Sequence, residues 1–240
     1  MALLEVRSIG KSFRGLRAVH DVSFELADGA IAAMIGPNGA GKTTCFNLIA
    51  GVFAPDTGAV ALGGRRITGL RPHEICRAGV GRTFQVVKPF PQMTVLDNVV
   101  VGALNAAARV GDAEREAWRV LELLHLDAKS QTLAASLTLP ERKRLEVARA
   151  MATRPRLLLL DEVMAGLRPT EVDEMVAVFR RINHETGLTI LLIEHVMRAV
   201  MALAAHVVVL HHGEKICEGA PAQVVRDPAV LECYLGEEAV

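Results

Sequence analysis

The sequence runs to 240 residues, of which 51% are hydrophobic and 22% charged; this is enough apolar material for one large domain or two small ones, and too much for a disordered chain. Lys plus Arg and Asp plus Glu both number 27, for a formal net charge of zero, and aromatics stand at 4%. That balance argues against a chain that coats nucleic-acid phosphates or stacks bases, and it favours the Ala, Val, Leu and Ile diet of a parallel α/β sheet.

The first residues, Met1-Ala2-Leu3-Leu4-Glu5-Val6-Arg7, carry neither a basic n-region nor a long apolar run, so no signal peptide is expected. Val22, Phe24 and Leu26 alternate with Ser23 and Glu25, the pattern of a half-buried strand. Asp28-Gly29 turns the chain into Ala30–Ile35, an apolar run that predicts a buried strand, and after a glycine-rich loop Thr43–Ala50 predicts a helix ending at Gly51. Pro55-Asp56-Thr57-Gly58 marks a turn before another strand. From about Asp97 to Ser136 the pattern is helical, with Val120, Leu121, Leu123, Leu124 and Leu126 as its apolar stripe. A helix over Pro140–Thr153 leads into Leu157-Leu158-Leu159-Leu160-Asp161, a strand buried on both faces. Thr189–Ile193 and Val207–Leu210 supply further strands, and His212-Gly213 turns the second of these back into Lys215-Ile216-Cys217. The most membrane-like stretch, Leu188–Leu210, is interrupted by Glu194, His195 and Arg198, whereas a spanning helix needs about 20 mostly apolar residues. Strands alternating with helices predict α/β architecture with chemistry at the strand carboxyl ends.

Gly36-Pro37-Asn38-Gly39-Ala40-Gly41-Lys42-Thr43 satisfies the phosphate-loop pattern GxxxxGK[ST], with a strand before it and a helix after. The glycines let successive N–H groups face a phosphate cluster, Lys42 reaches the β- and γ-phosphates, and the Thr43 hydroxyl is placed to ligate Mg²⁺. A chance glycine turn beside a lysine would not satisfy every constrained position. Asp161 and Glu162 close the leucine strand. Alone they would read as an acidic strand end. Beside a phosphate loop, Asp161 can hold Mg²⁺ and Glu162 can activate the attacking water.

Taken together, these motifs resemble the ATP-binding subunits of ABC transporters, and the likeness covers nearly the whole chain. It implies a P-loop NTPase core with a mostly parallel sheet, an N-terminal antiparallel β region and an inserted α-helical subdomain. The chain is then one ABC ATPase domain over 1–240, with the helical subdomain at about 90–153 and a C-terminal extension at about 219–240. The resemblance further implies that Phe13 stacks on adenine, that Thr44 joins the phosphate loop, and that Gln85 touches Mg²⁺ and senses the membrane partner. In the same way it implies that Ala165-Gly166-Leu167-Arg168-Pro169 forms the D-loop and that His195 contacts the γ-phosphate. Within the family, Arg82-Thr83-Phe84-Gln85, Phe90–Val99 and Tyr234-Leu235-Gly236-Glu237 are most similar to importer subunits for branched-chain amino acids and related urea and amide substrates. Subunits of lipopolysaccharide export share part of the same ending. The expected cofactors are ATP and Mg²⁺. The expected partners are two membrane-spanning permease subunits and, indirectly, a solute-binding protein, with no nucleic acid. The expected place is the cytoplasmic face of the inner membrane, as a peripheral subunit.

One segment departs from the family. Its Leu-Ser-Gly-Gly-Gln signature aligns with Leu137-Thr138-Leu139-Pro140-Glu141, where Leu139 and Pro140 replace both glycines and Pro140 deletes an N–H donor. Thr138-x-x-Glu141 is also a capping box. Two readings stay open: a well-capped helix without a phosphate role, or an altered contact to the neighbouring subunit's nucleotide. Because the residues that act on this chain's own nucleotide are all present, the asymmetry predicts pairing with a different ATP-binding subunit. A regulatory subunit with weak hydrolysis is the alternative, and an ATPase acting on nucleic acid or ribosomes is disfavoured by the lack of a second nucleotide domain or a coiled-coil insertion. The basic run Arg142-Lys143-Arg144 is expected to be a solvated helix face. The four separated cysteines, Cys45, Cys76, Cys217 and Cys233, and the histidines His206, His211 and His212 lack metal-ligand spacing.

Overall fold

The N-terminal alternation builds two long antiparallel strands, β1 (Ala2–Phe13) and β2 (Leu16–Ala27), in the computed structural model, which describes residues 2–84 and 88–235. Val22, Phe24 and Leu26 are buried, while Ser23 is half-buried and Glu25 exposed, as the period of two requires. After the turn at Asp28 and Gly29, β3 (Ile31–Ile35) is buried throughout and leads through the glycine loop into α1 (Lys42–Ile49). Next come β4 (Thr57–Leu62) and β5 (Arg65–Arg66), which complete a four-stranded antiparallel sheet in the order β2-β1-β4-β5.

The remaining chain alternates. It contributes α2 (Pro72–Ala78), β6 (Val80–Arg82), α3 (Val95–Ala103), α4 (Val110–Leu123), α5 (Leu139–Met151), β7 (Leu157–Asp161), α6 (Pro169–Thr186), β8 (Thr189–Ile193), α7 (Met197–Leu203), β9 (His206–His211), β10 (Glu214–Gly219), α8 (Pro221–Val224) and α9 (Pro228–Leu235). These five strands join β3 in a second, six-stranded sheet in the order β10-β9-β3-β8-β7-β6, parallel except for the β9–β10 hairpin. The expected α/β core and N-terminal antiparallel region are both present.

Alternation within β3 explains how the two sheets share one body. Ala32 and Met34 join the core beneath the antiparallel sheet and α1, whereas Ile31, Ala33 and Ile35 join the core packed by the other helices. The leucine strand is divided in the same way, with Leu157 and Leu159 in the first core, Leu158 and Leu160 in the second, and all four fully buried. Each such side chain contributes roughly 1.5–3 kcal/mol, and because both faces are covered the strand reads as a continuous apolar run.

Differences from the sequence reading are local. The helical stretch from Asp97 divides into α3 and α4, and past Leu123 it continues as a turn, in which His125 takes a positive φ of 54°, and two short 3-10 helices, Asp127–Lys129 and Ala134–Ser136. Val120, Leu121, Leu124 and Leu126 are buried, but Leu123 only half so. The membrane-like stretch resolves into β8, α7 and β9, and among the described residues no helix is long and apolar enough to cross a membrane. The largest correction concerns the basic run on α5. Arg142 is exposed, but Lys143 is buried at 6% exposure, because α5 lays this side against the carboxyl ends of β7 and β8.

Register then places the site. Met34 pairs with Ile193, and Ile193 pairs with Asp161, so the ends of β3, β8 and β7 are level and the glycine loop, Glu162 and Glu194-His195 emerge along one sheet edge. β3 lies between β8 and β9, neither adjacent to it in sequence, the arrangement at which open α/β sheets open a ligand crevice.

Candidate functional site

The phosphate loop is held by contacts that only glycine permits. A Cβ on Gly36 would lie 2.0 Å from the Leu210 carbonyl oxygen, and one on Gly41, at φ 97°, would lie 2.5 Å from that of Ala18. The Gly213 N–H donates to the Ala40 carbonyl at 3.1 Å, tying the β9–β10 turn to the loop. Lys42 is buried, and its ammonium donates to the carbonyls of Gly36 at 2.6 Å and Pro37 at 2.8 Å. A cleft of about 450 Å³ opens over the loop, lined by Asn38 through Thr44 together with Glu162 and the β2 residues Leu16, Arg17 and Ala18.

Asp161 and Glu162, adjacent in sequence, have different surroundings. Asp161 is 1% exposed, and its Oδ2 accepts from Arg82 at 3.1 Å while Arg82 also donates to Asn47 on α1 at 2.6 Å. The Asp161 N–H donates to the Thr83 hydroxyl at 3.1 Å. Burial pushes the Asp161 carboxyl above the usual carboxylate range, and Arg82 opposes that shift. Its Oδ1 is buried without a hydrogen-bond partner, and a second cleft of about 430 Å³ is lined by both Asp161 and Thr43.

Glu162 turns away from that pocket. Its backbone sits at φ 50°, in the left-handed region that costs a residue other than glycine about 1–3 kcal/mol. Contacts on several sides hold it there. Its N–H donates to Ile193 O at 3.0 Å, its carbonyl accepts from the buried Lys143 ammonium at 3.0 Å and from the Ala165 N–H at 3.2 Å, and its Oε1 lies 2.9 Å from His195 Nε2. Glu194, next to the histidine, is 1% exposed, accepts from the Met164 N–H at 2.9 Å, and is pushed up to about 7 by burial.

The structure therefore brings Lys42, Thr43, Thr44 and Glu162 to one cleft, Thr43 and Asp161 to an adjoining one, and His195 to Glu162. Phe13 does not line the cleft over the loop; it packs edge-on against Phe53 with ring centroids 5.1 Å apart. Its hairpin partner Leu16, however, does line that cleft. Gln85 lies outside the described residues. At the start of α5, the Glu141 carboxylate accepts from both the N–H of Thr138 at 2.8 Å and its hydroxyl at 2.9 Å, closing the capping box. Leu139 extends toward Gly166, in the segment expected to be the D-loop, where an added Cβ would meet Leu139 at 3.5 Å.

Sequence reasoning misses Arg82, Asn47, Lys143, Glu194 and the β2 residues Arg17 and Ala18. Arg82 borders the Thr83-Phe84-Gln85 stretch, and Glu194 precedes the histidine, so both lie beside recognised positions. Nothing in the spacing of Lys143 separates it from a surface lysine.

With this geometry in place, comparison with known proteins fixes the family. Residues 19–165 match the ABC transporter family, and residues 214–240 match the branched-chain amino acid ATP-binding cassette transporter family. The chain is 40% identical over 250 residues to the high-affinity branched-chain amino acid transport ATP-binding protein BraF of Pseudomonas aeruginosa, with 98% of each covered. It is 37% identical over 236 residues to the lipopolysaccharide export system ATP-binding protein LptB of Acidithiobacillus ferridurans, again with 98% of each covered. In three dimensions it is similar to the ADP conformation of MJ1267, an ATP-binding cassette of an ABC transporter, with a TM-score of 0.90 and 30% identity over 98% of this chain and 99% of that one. The chain belongs to the ABC transporter family, as an ATP-binding subunit that couples ATP hydrolysis to transport.

Proposed function

We propose that this subunit powers an importer for branched-chain amino acids or related small polar solutes, using Glu162 as the base for the attacking water. The observation that carries the chemistry is the Glu162–His195 pair at 2.9 Å, on a glutamate that lines the same cleft as the phosphate loop. A carboxylate so placed takes the water's proton, and His195 orients it and contacts the γ-phosphate. Loop amides and Lys42 bind the phosphates, with the Lys42 ammonium exchanging the Gly36 and Pro37 carbonyls for phosphate oxygens. Phe13 carries the adenine.

The residues present suit Mg²⁺. Asp161 Oδ1 is a buried oxygen without a partner and shares a cleft with the Thr43 hydroxyl, an all-oxygen donor set of the kind Mg²⁺ takes. Thr43, Asp161 and Gln85 would hold the ion, which when bound neutralises charge on the transferring phosphoryl group.

The substrate class rests on the relatives that transport branched-chain amino acids and on the match over residues 214–240, which favours import over lipopolysaccharide export. In this reading residues 1–240 act as one ATPase domain with a helical subdomain at about 90–153 and a C-terminal extension at about 219–240. The subunit sits on the cytoplasmic face of the inner membrane against two permease subunits, indirectly served by a solute-binding protein. It is paired there with a different ATP-binding subunit. Support for that pairing comes from Thr138, whose N–H and hydroxyl are both taken up by Glu141, while Pro140 offers no N–H. The neighbour's nucleotide then meets a weak signature and this chain's own nucleotide meets an ordinary one.

Uptake of radiolabelled leucine by cells carrying Lys42→Ala tests the assignment. Loss of uptake is expected, together with weaker binding of a fluorescent ATP analogue, since each charge-assisted phosphate contact contributes roughly 1.5–3 kcal/mol. Wild-type binding by Lys42→Ala would refute the phosphate-loop role, and a native complex with two copies of this chain and no second ATPase would refute the pairing.

A further inference from the structure

The buried lysine of α5 has no part in the mechanism given so far. Lys143 lies one turn inside the helix whose first residues, Thr138–Glu141, form the altered signature. Its ammonium donates to the carbonyl of Glu162 at 3.0 Å, and Glu162 is the residue held at φ 50°. The acidic groups that act on the ammonium come from every neighbouring element: Glu146 from α5 itself, Asp161 and Glu162 from the end of β7, and Glu194 from the end of β8. Burying a lysine is costly unless it is paired and hydrogen-bonded, and an amine that served only as counter-charge to Glu194 would not need a backbone carbonyl in the strained turn.

We propose that Lys143 is a positioning residue that fastens the Glu162 turn to α5, so that the helix presenting the signature to the neighbouring subunit also sets the posture of this chain's own base. The inference rests on Glu162 being the base. The left-handed turn is costly, and its carbonyl, which accepts from the Ala165 N–H at 3.2 Å within the turn, is tied to α5 by the Lys143 ammonium. Without Lys143 the turn keeps its backbone bonds but loses its tie to α5, and the carboxylate shifts from the water's path while the phosphate loop, on β3 and α1, is untouched. The loss therefore falls on turnover and not on nucleotide affinity.

The test compares Lys143→Met, Lys143→Arg and Glu162→Gln in the full-length chain within its transporter complex. Three quantities are read: kcat for ATP, nucleotide Kd, and hydrogen–deuterium exchange of the segment 160–165. Loss of one charge-assisted hydrogen bond corresponds to a fall in kcat of about tenfold or more. Lys143→Met is expected to show that fall, with Kd within about twofold of wild type and faster exchange across 160–165. Lys143→Arg, which keeps a charged donor, restores most of the rate. Because Lys143→Met leaves Glu194 buried without its cation, the double variant Lys143→Met/Glu194→Gln is made alongside it; it recovers folding but not kcat. Wild-type kcat in either Met variant, or exchange unchanged at 160–165, overturns the proposal. A normal kcat in Glu162→Gln instead overturns the base assignment, which separates the two failures.

Discussion

Arg82→Met is the perturbation whose cost the structure fixes most directly. The guanidinium bridges Asn47 Oδ1 at 2.6 Å and Asp161 Oδ2 at 3.1 Å, with side-chain exposures of 11% for Arg82 and 1% for Asp161. Methionine keeps much of the volume but removes the cation, leaving a buried carboxylate whose other oxygen already has no partner. Breaking a buried pair in this way costs about 3–5 kcal/mol, which for a chain of this length lowers the melting temperature by about 10 °C. The sign with pH follows from Asp161. Burial already raises its pKa, and loss of Arg82 raises it further, so above the ordinary Asp range the variant's folded state binds more proton than its unfolded state. The deficit of Arg82→Met against wild type therefore grows as pH rises and shrinks as pH falls, which a comparison of pH 8 with pH 5 reads out. Urea denaturation at both pH values measures it, and an Asp161→Asn background completes a double-mutant cycle in which the two losses are not additive. A deficit below about 1 kcal/mol, or one independent of pH, would refute the account of Asp161 as a buried carboxylate neutralised by Arg82.

Glu194, at about 7 in the folded protein and near 4 when unfolded, makes stability fall as pH rises between those values, on the order of 3 kcal/mol in all; Glu194→Gln should flatten that slope in denaturation curves taken from pH 4 to 8. Gly41→Ala places a Cβ 2.5 Å from a backbone oxygen at φ 97°, so nucleotide affinity measured by fluorescence should drop at least about tenfold through loss of the loop conformation. Glu162→Gln and His195→Ala should leave that affinity intact and slow turnover by about 10²–10⁴. Normal turnover in either variant would remove the Glu162–His195 pair from the chemistry.

What the sequence determined by itself was the part of the protein written in local pattern. A phosphate loop needs glycine at fixed spacings because neighbouring carbonyls, those of Leu210 and Ala18, leave no room for a Cβ, and that demand appears as GxxxxGKT. A strand covered on both faces appears as four leucines, and a half-covered one as Val22-x-Phe24-x-Leu26. Helix α6, which the sequence reading did not single out, starts with Pro169 at its first position and ends at Gly187 in the left-handed cap. What only tertiary structure decided was which charges are buried and which are solvated. Arg142, Lys143 and Arg144 are one basic run in sequence, but α5 turns about 100° per residue, so Arg142 faces water while Lys143 reaches the Glu162 carbonyl. Asp161 and Glu162 are likewise adjacent, yet strand alternation and a positive φ send one toward Arg82 and the other toward His195. Those partners lie 79 and 33 positions away along the chain. Pairing at such separations is set by sheet register and helix rotation, neither of which any local spacing records.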